Sequence, residues 1–246
     1  MNRAVFTAEL RMNRTYTIIW CVVLVFSTGA NIAGSASMES DGAAYDVLLA
    51  LAQSAPNMAM MGCIFSMILG GLVVSREEDG RTIEFLMSHP VHRIEIALSK
   101  LGAFLLLVVI LNAVMLVADI VFLEVFKSEA GYDRGAALGV WLSEFTLIFF
   151  FGAAGIFYSA FVTKGGAVVG TCIAVPIVAT VLAALGNVDN TILRILSYLS
   201  PFRYFHIQGV LSRGGAEPAF VVSFVAIGSV LIAVFFSLYR RREFAV

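Results

Sequence analysis

An all-α polytopic membrane protein, with six transmembrane helices per protomer, is the fold class that this sequence predicts, and three observations predict it. The first is composition: of 246 residues, 60% are hydrophobic and 13% charged, where soluble domains run about 45–50% apolar and about 25% charged. Sixteen basic and 17 acidic side chains cannot coat a soluble chain of this size. The second is run length. Crossing about 30 Å of hydrocarbon takes about 20 helical residues, and residues 15–38, 47–75, 165–188 and 218–239 carry no charge, while 101–123 and 135–163 are each broken by a single acid, Asp119 or Glu144. The third is pattern: runs such as FLLLVVIL at 104–111 do not alternate, as the strands of a membrane barrel would.

The six spans are placed at about residues 15–36, 55–75, 101–125, 137–162, 165–186 and 218–239, within one transmembrane domain covering 1–246. Residues 3–14 set Arg3, Glu9, Arg11 and Arg14 among Val5, Phe6, Leu10 and Met12, the pattern of an interfacial helix that turns into span one. That span is expected to stay in the chain, since no small-residue cleavage site accompanies it. Between spans two and three, residues 76–100 hold nine charges. Within them Gly80 and Pro90 bound a stretch in which Ile83, Leu86 and Met87 fall at helical spacing, so a short amphipathic helix is expected over 82–88, its apolar face resting on protein rather than lipid.

Spans three and four bring the intramembrane polar groups. A charge at the bilayer centre costs about 2.5–3.5 kcal/mol on the lenient insertion scale, so such groups face protein or water. Asp119 stands seven residues before Phe126 and Glu144 seven after Ala137, which places both carboxyls at similar depth near the outer ends of their helices. Two readings stay open: a relay for ion or substrate, and interhelical hydrogen bonding through one protonated carboxyl, with Asn112 and Ser143 as polar neighbours and Arg134 able to reach back from the loop. In span five, Pro176 is expected to bend the helix, and glycines at 165, 166 and 170, with Gly152 and Gly155 on span four, allow close helix approach. Before span six, Ile192, Leu193, Ile195, Leu196 and Leu199 repeat at helical spacing beside Tyr198, Phe202, Tyr204 and Phe205. A short outer-surface helix ended by Pro201 is expected there, with Gly186, Gly214 and Gly215 at its edges.

Basic residues give the orientation. With six spans, both termini share a side with the connections after spans two and four; that side holds eleven Lys and Arg against five opposite, so both termini are expected in the cytoplasm. A formal charge of −1 gives no global basic field, and no nucleic-acid partner is expected. Cys21, Cys63 and Cys172 lie singly in apolar runs, and His89 and His92 have no third ligand beside them, so no metal site is expected. Nothing forms a catalytic set.

Glu77, Glu78, Gly80, Thr82, Glu84, Phe85, Leu86, Pro90, Arg93 and Lys100 together resemble the cytoplasmic loop of permease subunits of type 2 ABC exporters, the ABC-2 superfamily. In that family a glutamate-rich stretch and a glycine precede a short coupling helix, then a proline, a basic residue and a lysine at the next span. The six spans, the N-terminal amphipathic stretch and the YLSPFRYF segment at 198–205 are similar too, so the resemblance covers nearly the whole chain. It implies a permease of the prokaryotic cytoplasmic membrane that pairs with a second, identical protomer. It also implies two copies of a separate ATPase, docked on a coupling helix that includes Ile83, and a hydrophobic or amphipathic cargo such as a peptide or drug, exported by alternating access. Ion, lipid or glycan export and a sensory or assembly role are the alternatives. The sequence has no G-x-x-x-x-G-K-[ST]; its KGGAVVG at 164–170 puts the lysine before the glycines and enters a span. No cofactor is therefore expected on this chain, with ATP and Mg carried by the partner ATPase.

Overall fold

The computed structural model describes residues 3–38, 46–79, 93–126, 131–162 and 165–241. The regular elements among them are all helical: α1 Arg3–Met38, α2 Val47–Asp79, α3 Arg93–Phe126, α4 Arg134–Ser159, α5 Gly165–Leu185, α6 Thr191–Ser197, a 3₁₀ turn at Pro201–Tyr204, α7 Ile207–Arg213 and α8 Pro218–Arg241. Six of them, α1 to α5 and α8, are long and apolar enough to cross a membrane, and the chain is an all-α polytopic membrane protein. Six crossings return the chain to the side on which it began. Helices α1, α2, α3 and α8 overrun their apolar stretches because a charge ends a hydrophobic run without ending the backbone hydrogen-bond ladder.

Helices α2 and α4 form the centre. In the most apolar stretch of each, 67% and 61% of residues are buried, against 22% in α1, α5 and α8. Small residues set this crossing: a Cβ on Gly70 would lie 2.9 Å from the amide nitrogen of Ile156, and one on Gly155 would lie 3.0 Å from that of Gly71. Only glycine lets the two backbones come so near. Ser66 Oγ uses that proximity to donate to the Ile148 carbonyl at 2.7 Å. Around this pair α1 lies along α3, α5 along α2, and α8 along α4. Phe65, Phe104, Leu111, Leu147, Ile156 and Phe235 fill the shared core. Ile18, Val22 and Phe26 of α1 and Val178 and Val181 of α5 stay exposed, as lipid-facing or partner-facing residues do when no water drives them inward.

Two expected elements differ in detail. Residues 3–14 do not form a separate interfacial helix that turns into span one; they are the first turns of the unbroken 36-residue α1. The stretch contains neither glycine nor proline to stop the helix, and Asn13 Nδ2 donates to the Glu9 carbonyl at 3.0 Å within it. Before α8, the single short helix expected to end at Pro201 is instead α6, a 3₁₀ turn and α7. Asn190 caps α6 by accepting from the amides of Ile192 and Leu193, and Pro201 opens the 3₁₀ turn rather than merely closing a helix, since its fixed φ suits a first helical position. Ser200 Oγ accepts from the Phe202 amide at 3.2 Å and donates to the Ala179 carbonyl of α5 at 2.6 Å. Gly214 closes α7 at φ 69°, a left-handed turn that favours glycine. Helix α5 runs through Pro176 to Leu185, and Gly166 and Gly170 face open space rather than a neighbouring helix of the same chain.

Candidate functional site

Two polar centres are buried in this apolar bundle, at opposite ends. The first lies where α3 finishes and α4 starts. Asp133 caps α4 by accepting from the Gly135 amide at 2.8 Å, and from that fixed start Ala137, Trp141 and Glu144 follow at one-turn intervals on the face toward α3. Asp119 and Glu144 are each 5% exposed. Glu144 lies within electrostatic reach of Asp119 on α3 and of Cys63 on α2. The chain thus brings its two intramembrane carboxyls together. No hydrogen bond or ion pair with another described residue reaches either one.

The neighbours expected to serve the acids are committed elsewhere. Asn112 Nδ2 donates to the Val108 carbonyl at 2.8 Å, and Ser143 Oγ to the Gly139 carbonyl at 2.8 Å; each bond stays on its own helix. Arg134 reaches Glu124 at 3.5 Å with its own side chain 82% exposed, and Tyr132 Oη donates to the same Glu124 at 3.0 Å. Beneath that rim a cavity of about 320 Å³ opens between α3 and α4, lined by Leu116, Asp119, Ile120, Leu123, Glu124, Tyr132, Arg134, Ala137, Leu138 and Trp141. Trp141 Nε1 donates to the Asn112 carbonyl at 2.9 Å and its ring stacks on Phe145, which fixes the indole at the cavity wall.

The second centre lies at the end that carries the chain termini. Lys100, 3% exposed, pairs with Glu9 at 3.2 Å and donates through Nζ to the Val73 carbonyl at 2.6 Å. Glu9 is held in turn by Asn13 Nδ2 at 3.3 Å. One ammonium therefore ties α1, α2 and α3 together, just inside the point where α2 and α3 approach the charged connection between them. Of the residues assigned to that connection, Glu77 and Glu78 belong to the last turn of α2 and Arg93 opens α3. Gly80, Thr82, Ile83, Glu84, Phe85, Leu86 and Pro90 lie outside the described residues, as do His89 and His92.

Compared with known families, the profile described as ABC-2 family transporter protein matches residues 3–244. The chain belongs to the ABC-2 transporter family. No curated protein sequence matches it at a significant level. As an ABC-2 chain it is a transport permease, a multi-pass membrane subunit and not an ATPase, and its family works with an ABC ATPase subunit. Among the described residues of this ABC-2 permease, no group of three His, Cys, Asp or Glu is placed to hold a metal.

Sequence reasoning placed Asp119 and Glu144 at one depth but missed the room beside them, which depends on how Tyr132, Ala137 and Trp141 pack. It also missed the partnership of Glu9 with Lys100. A signal for it was present: a lysine at the head of a long apolar run needs a counter-charge if it is enclosed, and Glu9 is the only acid in the N-terminal stretch 1–37.

Proposed function

We propose that this chain is the membrane-spanning half of an ATP-driven exporter, moving a hydrophobic or amphipathic substrate such as a peptide or drug out of the cytoplasm by alternating access. The observation that carries the reading is the placement of a short, charged connection between two helices that a buried lysine joins, in a chain that matches the ABC-2 profile along nearly its whole length. Such a connection gives a separate ATPase a handle, and the Lys100 tie spreads a push on that handle over α1, α2 and α3. Two identical permease protomers and two ATPase subunits complete the assembly, with ATP and Mg held by the ATPases. The coupling residues are Glu77, Glu78, Gly80, Thr82, Ile83, Glu84, Phe85, Leu86, Pro90 and Arg93. The apolar ones seat in the ATPase groove and the charged ones orient at its rim. The nearly unbroken apolar character of the spans favours an amphipathic cargo over a long polyanion.

Orientation gives the first test. In a prokaryotic inner membrane, the proposed location, the distribution of basic residues supports both termini on the cytoplasmic side. A reporter fused after Val246 and a label at Gly80 are expected on the cytoplasmic side, and a label at Gly42 outside. Opposite sides for Gly80 and Val246 would break the six-span path.

Coupling gives the second test. An apolar anchor at the centre of such a contact is worth about 2 kcal/mol or more, so Leu86→Asp is expected to release the ATPase or to uncouple its hydrolysis from transport while leaving the permease inserted. Co-purification of the two subunits, with ATPase and transport rates, checks this. Retained ATPase together with unchanged transport would show that the segment is not the mechanical contact.

A further inference from the structure

The cavity between α3 and α4 poses a charge problem that none of the described residues solves. Asp119 lies in its wall, 5% exposed, without a hydrogen-bond or ion-pair partner among the described residues, and its electrostatic neighbour Glu144 has the same sign. Two like charges buried together need a neutralising partner, which is either a proton or a cation. Among the described residues that line the cavity, the one cation, Arg134, pairs with Glu124 with its side chain largely exposed. A proton needs no room, yet here there are about 320 Å³ of it, the lower range of volumes that hold small organic ligands.

The lining narrows the class of cation. Calcium and magnesium take six or more oxygen ligands and zinc about four of nitrogen, sulfur or oxygen, whereas no three His, Cys, Asp or Glu of the described residues converge on one point and the cavity offers chiefly Leu116, Ile120, Leu123 and the indole of Trp141. Those surfaces suit an apolar body. An aromatic ring face attracts a cation most strongly when it is an indole and the site is shielded from water. We propose that this cavity binds an organic ammonium ion, its charge held by Asp119 and its apolar body by Leu116, Ile120, Leu123 and Trp141. An amine solute and the ammonium headgroup of a membrane lipid share that chemistry. The site stands apart from the exporter reading, since it needs neither an ATPase nor transport.

The test uses the full-length chain in maltoside micelles, which contain no ammonium lipid. Trp20→Phe leaves Trp141 as the single tryptophan. Phenyltrimethylammonium is expected to change Trp141 emission saturably, whereas its neutral isostere tert-butylbenzene gives only a non-saturating drift. Asp119→Asn is expected to weaken the ammonium response at least ten-fold, and Asp119→Glu to keep it. Ala137→Phe, which fills the cavity with both acids intact, is expected to abolish it, so the site remains testable where the Asn variant fails to elute as a folded species. Absence of saturation in the parent protein, equal affinity after Asp119→Asn or after Ala137→Phe, or equal binding of the neutral isostere would each overturn the proposal. The first of these would leave the carboxyl pair to a proton, and the last would leave the cavity to uncharged ligands. Competition by short-chain phosphatidylcholine but not phosphatidylglycerol assigns the resident cation to lipid, and its absence assigns it to a free amine; both outcomes support the site.

Discussion

Lys100→Met is expected to destabilise the folded chain by about 3 kcal/mol, the lower end of what removal of one partner from a buried ion pair costs. The lower end applies because Glu9 keeps a side-chain exposure of 13%, where Lys100 has 2%, so water relieves part of the charge left behind. Two further losses add to it. The Val73 carbonyl loses the Lys100 donor at 2.6 Å, and α1 loses its tie to the end of α2 and the start of α3. Glu9→Gln in the same chain removes the stranded charge and is expected to recover part of the loss, so the two substitutions are non-additive in a double-mutant cycle. Lys100→Arg is no rescue: a planar fork replaces a point charge in a site closed by Leu69, Phe104 and Leu107. Unfolding of the purified chain by increasing fractions of an anionic detergent, followed by tryptophan emission, reads the four forms of the cycle and the Lys100→Arg variant. An unchanged midpoint in Lys100→Met would mean that the pair does not hold the three helices together.

At the centre of the bundle, Gly155→Val is expected to cost about 3 kcal/mol or more, at or above the upper range for overpacking a core. The reason is what the new side chain meets. A flexible side chain in the way can swing aside, but a Cβ at Gly155 faces the Met67 carbonyl and the Gly71 amide, which are backbone of α2. Relief requires separating α2 from α4, and with them the Ser66 hydrogen bond to Ile148. The same substitution at Gly170, where nothing lies within 4 Å, is expected to stay within about 0.5 kcal/mol in the isolated chain. Yield of monodisperse protein and the unfolding midpoint check both. Equal tolerance at the two positions would show that the glycine crossing does not set the helix spacing.

The six spans were legible in the sequence because lipid leaves the backbone no alternative: a chain segment without water must satisfy its own amides, and the length that does so is fixed by the bilayer. The depth match of Asp119 and Glu144 was legible for a related reason, since a constant rise per residue converts sequence distance into depth. Rotation about the helix axes was not, and it is rotation that turns both carboxyls inward while Asn112 and Ser143 bond back to their own helices. Residues 3–14 carry the charge pattern of a surface helix, and nothing local says whether such a helix bends at the membrane or runs straight into it. The partner that bears on the answer, Lys100, lies at the head of another helix. Pro201 was misread for want of Ser200, whose hydroxyl both caps the 3₁₀ turn and grips α5.

The lengths of the helices divide them into two groups. Helices α4, α5 and α8 have 26, 21 and 24 residues, or about 39, 32 and 36 Å, close to the thickness of the hydrocarbon, while α1, α2 and α3 have 36, 33 and 34, or about 54, 50 and 51 Å. The polar part of the excess falls at the end that carries the termini: residues 3–14 of α1, 75–79 of α2 and 93–100 of α3. Those are the three helices that Lys100 joins, so beyond their apolar runs they form a stalk rather than separate rods. A stalk is a lever. Twelve residues of α1 beyond the apolar run make an arm of about 18 Å, and a tilt of about 10° at its foot moves the tip by about 3 Å. A displacement of that size applied at the tip is geared down into a small rotation of helices already in contact with the α2–α4 centre, where glycine-to-backbone contacts leave little slack to absorb it.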